Sequence, residues 1–154
     1  AHSWVQMYPD EYSAFKKYAE IYPQNCVLLV DTYNVLKSGV PAAIKVFKEM
    51  KPQSMGIRID SGDVAYLTKK ARKMLDNAGL QDCKIVVSNS LDEYIIRDVI
   101  LEGACIDSLG VGERLITAKS CISGAPSTEA AALAAVTPGT VSISMSAFIS
   151  SATW

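Results

Sequence analysis

The chain has one histidine, no CxxC pair, no surplus of basic residues and no long apolar run, and each scarcity removes a class of function. No apolar stretch approaches the roughly 18 residues that span a bilayer, so no membrane partner is expected. Ala1-His2-Ser3-Trp4 does not read as a secretory leader. The four cysteines, Cys26, Cys83, Cys105 and Cys121, are far apart, and at least the first three sit in or beside apolar runs. Buried free thiols in a reducing cytoplasm fit better than disulfides or a zinc site. Fifteen Lys and Arg against 16 Asp and Glu give a net charge of −1, so nucleic acid is not the expected partner. Schiff-base chemistry lacks an evident lysine at a strand end. The single histidine, His2, is the one side chain suited to act as acid, base or nucleophile near neutrality, although a surface histidine is the plainer alternative.

What remains is an ordinary soluble composition, 49% hydrophobic and 20% charged, in 154 residues, one domain by length. Four segments read as strands: Cys26 to Asp31, Met55 to Asp60, Lys84 to Asn89 and Ile106 to Gly112. Helical patterns fall at 9–22, 35–49, 64–78 and 91–102. Pro9-Asp10-Glu11 suits a first helical turn, and Gly79 and Gly103 suit helix stops. Continuous Val, Ile and Leu runs suit strands buried on both faces of a parallel sheet. The strand ends at Asp31, Asp60 and Asn89 are 29 residues apart twice over, close to the about 31 per unit of a (β/α)₈ barrel. The fold class is therefore α/β, a partial (β/α) barrel of about four βα units. Half a barrel leaves two open edges, which predicts further sequence or a partner chain. Residues 1–120 form the barrel part. From Cys121 to Trp154 the only charge is Glu129 and small residues dominate. This 121–154 tail receives no function, though Val141 to Ser146 alternates like a strand.

The polar residues gather at one end of the strands, where α/β enzymes keep their chemistry. Arg58 and Asp60, two apart, point to the same face, just before the Ser61-Gly62-Asp63 turn. They fit a metal-phosphate or polar substrate, or else a buried ion pair with Asp63 as a helix cap. Asp31 either orients a histidine or holds hydrated Mg²⁺, or caps the following helix. Asn89 is a cap or a sugar-hydroxyl ligand. Gly110-Val111-Gly112 lets backbone N–H groups approach a phosphate, or forms a tight turn.

Read in order, Ala1-His-Ser-Trp-Val-Gln6, Leu29-Val-Asp-Thr-Tyr33, Gly56-Ile-Arg-Ile-Asp-Ser-Gly-Asp63, Val87-Ser-Asn-Ser-Leu-Asp92 and Gly110-Val-Gly-Glu-Arg-Leu-Ile-Thr117 resemble nicotinate phosphoribosyltransferase, over about residues 1 to 119. The resemblance implies an irregular type II phosphoribosyltransferase barrel, of which this would be the later half. It implies the joining of nicotinate and phosphoribosyl pyrophosphate to give nicotinate mononucleotide and pyrophosphate, in NAD salvage. Mg²⁺ is implied as cofactor and ATP as co-substrate, through a phosphorylated histidine. His2 matches that histidine and Asp31 the carboxylate that holds it. Arg58 and Asp60, with Ser61 and Gly62 of the same motif, match the substrate site; Asn89 matches a ribose contact, and Gly110, Val111 and Gly112 the 5′-phosphate loop. A homodimer of the full-length protein is implied, with this chain alone inactive. Rival readings are a nicotinamide or quinolinate relative, an inactive folded fragment or interaction module, and a generic phosphate-binding barrel such as an isomerase or aldolase.

Overall fold

The computed structural model describes residues 2–88, 93–110 and 142–144. Helices α1 (His2–Gln6) and α2 (Glu11–Ile21) lead to β1 (Cys26–Leu29). After a π-helical turn (Val35–Gly39) come α3 (Val40–Met50), β2 (Met55–Ile59), α4 (Val64–Asn77), β3 (Lys84–Val87), α5 (Glu93–Leu101) and β4 (Ser108–Gly110). A short β5 (Ser142–Ser144), inside the alternating Val141–Ser146 stretch, closes the order. All strands pair in parallel, in sequence order, β1-β2-β3-β4-β5. Strands alternating with helices make this the expected partial barrel, and the first three begin 29 residues apart.

Register sorts the side chains into two faces. Leu28 pairs with Ile57 and Ile57 with Ile85, while Ile59 pairs with Val87 and Val87 with Leu109. All six are buried against the helices, where Phe15, Phe47, Ala71 and Leu75 meet the first three. Removing these side chains from water is the main force holding sheet to helices. On the other face lie Leu29, Arg58, Val86 and Ser108, in one row across the sheet. Of the site residues, Arg58 lies in that row.

The strands are shorter than expected. Asp31 and Asp60 lie just past the ends of β1 and β2. The backbone N–H of Asp60 donates to Asp31 Oδ2 at 2.9 Å. A side chain thus takes the donor that would otherwise extend the ladder. The helix expected over 35–49 begins instead as a π turn, with Gly39 N–H bonded to Asn34 O and the Val40 N–H to Val35 O. Pro41 explains this, because it lacks the N–H that an α-helix starting at 35 would need there. Asn34, rather than Asp31, caps this turn by accepting from Lys37 N–H at 2.8 Å. Asp10 caps α2 and Asp63 caps α4, each through the N–H three residues on.

Two clusters fix the N-terminal helix pair. Trp4 packs on Tyr8 and Tyr18 at centroid separations of 4.9 and 5.9 Å, holding α1 against α2. Tyr12 and Lys16 of α2 both donate to Glu49 of α3. Through this packing His2 is carried to the end of β1.

Candidate functional site

Asp31 is the centre of the first constellation. Its side chain is 1% exposed, yet its two oxygens have different surroundings. Oδ2 accepts from the Asp60 N–H and, at 2.7 Å, from the Ser61 hydroxyl. Oδ1 is buried without a hydrogen bond, and His2 Nε2 lies 3.8 Å away. An orphaned carboxylate oxygen in such a place is costly unless a cation or donor faces it. The other imidazole nitrogen, Nδ1, lies 3.2 Å from Thr32 Oγ1. If Thr32 donates there, Nε2 carries the hydrogen and turns it towards Asp31, the tautomer that the carboxylate favours. The His2 side chain is 44% exposed, open to a reactant.

The second constellation shares Asp60. Arg58 grips it with two bonds, Nε to Oδ1 at 2.8 Å and Nη2 to Oδ2 at 3.1 Å. Ser88 joins them: its hydroxyl accepts from Arg58 Nε at 2.5 Å and donates to Asp60 Oδ1. Arg58 and Asp60 are 27% and 22% exposed, so the pair is shielded but reachable. A fixed cation and anion in a half-dry site act more strongly on charge than they would in bulk water.

Of the residues named from sequence, His2, Asp31, Asp60 and Ser61 meet in one chain of contacts, and Arg58 joins through Asp60. Gly62 forms the turn into α4 with φ +85°, a left-handed conformation suited to glycine. Gly110 lies beside Ser88. Asn89, Val111 and Gly112 lie outside the described residues. Thr32 and Ser88 were missed. The same-face rule that paired Arg58 with Asp60 cannot find them, because Thr32 meets His2 of a helix and Ser88 meets Arg58 of the neighbouring strand.

Among the described residues no cluster of three or more His, Cys, Asp or Glu side chains is placed to hold a metal ion. The site still fits Mg²⁺ in its usual mode, held by one or two carboxylates and substrate phosphates, with Asp31 Oδ1 the oxygen left over. Cys26 and Cys83 are buried free thiols, and Cys105 is partly buried. No helix among the described residues is long and apolar enough to cross a membrane.

Known proteins narrow the reading. The chain is 58% identical over 120 residues to the nicotinate phosphoribosyltransferase of Bacillus subtilis, covering 77% of this chain and 24% of that protein. The chain is a homologue of one segment of the nicotinate phosphoribosyltransferases. A Mycobacterium tuberculosis nicotinate phosphoribosyltransferase is 40% identical over 121 residues, covering 77% of this chain and 26% of its own length. The nicotinate phosphoribosyltransferase of Dictyostelium discoideum is 38% identical over 120 residues, 71% of this chain and 20% of its own. The chain therefore spans about a quarter of the length of the relatives it matches. No family model matches it. These relatives carry the nicotinate name, which favours neither the nicotinamide nor the quinolinate alternative.

Proposed function

We propose that this chain supplies the strand-end part of a nicotinate phosphoribosyltransferase active site. In that reaction nicotinate nitrogen attacks ribose C1 of phosphoribosyl pyrophosphate and pyrophosphate leaves. The observation that carries the reading is the convergence of His2, Asp31, Arg58 and Asp60 at one sheet end, within a segment 58% identical to such an enzyme.

Each group has a part suited to its chemistry. Bond breaking at C1 builds positive charge on the sugar and negative charge on the leaving group. The Asp60 carboxylate, held by Arg58 and Ser88, is fixed where it opposes charge on the ribose without reorganising. Arg58 supplies a fixed positive charge beside the site, which favours phosphate oxygens. Mg²⁺, when bound, would neutralise diphosphate charge, and Asp31 is the carboxylate that would help hold it beside the substrate phosphates. His2 takes the γ-phosphoryl group of ATP. Asp31 faces Nε2, so Nδ1, once released by the Thr32 hydroxyl, is the nitrogen whose lone pair attacks phosphorus as ADP leaves. Hydrolysis of that phosphohistidine returns His2 and releases phosphate. The same assignment makes ATP, nicotinate and phosphoribosyl pyrophosphate the partners; the full-length protein is proposed as a homodimer of the cytoplasm.

The test uses a full-length protein carrying this segment. His2→Asn keeps a polar side chain of similar reach but cannot accept the phosphoryl group. Turnover of nicotinate should persist and its stimulation by ATP should vanish. Stimulation that survives the substitution would sink the phosphohistidine role, and absence of nicotinate turnover in the unsubstituted protein would sink the whole reading.

A further inference from the structure

Ser88 follows β3, and its backbone N–H donates to Ile59 O at 3.2 Å, which fixes it beside the end of β2. Its hydroxyl then does two things at once, accepting from Arg58 Nε and donating to Asp60 Oδ1. With the direct Arg58–Asp60 bonds, the three side chains form a closed ring. The Arg58–Asp60 bonds tie two residues of one chain segment to each other; a hydroxyl anchored beside the neighbouring strand ties the pair to the sheet.

The opposite side of Ser88 meets β4. A Cβ added to Gly110 would sit 2.9 Å from Ser88 Cβ, closer than real carbon atoms approach. Gly110 is not one of the glycines with positive φ, so its backbone does not demand glycine there. What demands it is the space that Ser88 fills. We infer that Ser88 is the residue that positions the Arg58–Asp60 pair, and that Gly110 is glycine in order to admit Ser88. The seam between β3 and β4 thus sets the geometry of a site on β2. The catalytic consequence rests on the function proposed above.

Steady-state kinetics on the full-length protein, with phosphoribosyl pyrophosphate varied, test this directly. Ser88→Ala should lower kcat/KM about tenfold, the scale of a misplaced reacting group, with the thermal midpoint within about 2 °C of the unsubstituted protein. Gly110→Ala should show a similar loss. In a Ser88→Gly background, where the obstructed carbon is gone, Gly110→Ala should add less than about a twofold change. If it multiplies its full loss instead, Gly110 acts on the phosphate through its own backbone and the steric role falls. Unaltered kcat/KM in Ser88→Ala would end the positioning role. A second readout does not need turnover: the Arg58 Nε–H proton, followed by NMR, should exchange faster in both Ser88→Ala and Gly110→Ala. Faster exchange in a protein that never turns over nicotinate would support the positioning geometry and sink only the proposed reaction; unchanged exchange would overturn the geometry itself.

Discussion

Asp31 divides its carboxylate between two tasks, with Oδ2 bonded to the Asp60 N–H at 2.9 Å and Oδ1 lying 3.8 Å from His2 Nε2. The two halves can be separated by substitution. In Asp31→Asn the amide oxygen still accepts from Asp60 N–H and Ser61, so stability should fall by less than about 1 kcal/mol. The amide nitrogen then meets His2 with a hydrogen where a lone pair is required, and ATP-stimulated turnover should fall about a hundredfold or more. Asp31→Ala should add a stability loss of about 1–3 kcal/mol, from the buried N–H left without an acceptor. Urea unfolding and ATP-dependent kinetics on the same variants check both. Equal stability losses for Asn and Ala would deny that Oδ2 braces the β2 end.

How far this arrangement could be read from sequence depends on direction along the chain. Arg58 and Asp60 were legible because residues two apart on a strand share a face. Asp31 was placed at the right end by the 29-residue period, but its choice between helix cap and histidine partner was open until Asn34 appeared as the cap. Contacts such as Ser88 with Arg58 link residues 30 apart and depend on register, which the apolar pattern of each strand does not fix between strands. The π turn before α3 was legible in principle from Pro41, since a proline six residues into a helix conflicts with its hydrogen bonds.

That turn supplies a sharp prediction about Gly39. Its φ is −61°, so backbone freedom is not the reason for glycine. A Cβ there would lie 1.9 Å from the Val30 carbonyl oxygen, a backbone atom that cannot swing aside. Gly39→Ala should therefore cost about 3 kcal/mol or more, the upper end of overpacking costs. Gly79 makes a control. It has φ +79° and open space around it, so Gly79→Ala should cost about 1–2 kcal/mol from backbone strain alone. Denaturant midpoints at unchanged slope would give both values. A Gly39→Ala variant as stable as Gly79→Ala would mean that the π turn relaxes away from β1.

The cysteines give a pH dependence. Burial pushes the Cys26 thiol up from its ordinary 9.0 to about 11, and the Cys83 thiol up to about 12. The folded state thus keeps both neutral where the unfolded chain ionises. Below about pH 9 both states hold the proton and the thiols contribute no pH slope. As pH rises above 9, the unfolded chain gains by releasing protons, and stability should fall through about 11 and 12. Replacing both with alanine should flatten that slope in urea titrations between pH 9 and 11. In the native protein at pH 8, iodoacetamide should modify neither residue, because thiolate and access are both lacking. Rapid labelling of Cys83 would contradict its burial.

Arg72 tests which polar contacts support the site from behind. Its Nη1 donates to Cys83 O at 2.6 Å and its Nη2 to Leu80 O at 2.7 Å, tying α4 to the turn that launches β3. Its Nε also pairs with Asp76 at 2.8 Å, one turn along the helix, where the carboxylate is 46% exposed. The exposed pair is weak because water screens it and both side chains lose freedom in forming it. The carbonyl contacts are stronger, since the Arg72 side chain is only 20% exposed and each carbonyl accepts a charge-assisted bond. Arg72→Met, which keeps the apolar stem, should therefore cost about 1.5–3 kcal/mol. Asp76→Ala should cost less than about 0.5 kcal/mol. Hydrogen exchange adds a local readout: the Leu80 N–H, bonded to Leu75 O at 2.9 Å, should lose protection in Arg72→Met and keep it in Asp76→Ala. The reverse ranking would show that the ion pair, rather than the carbonyl clamp, fixes the start of β3 and so the place of Ser88.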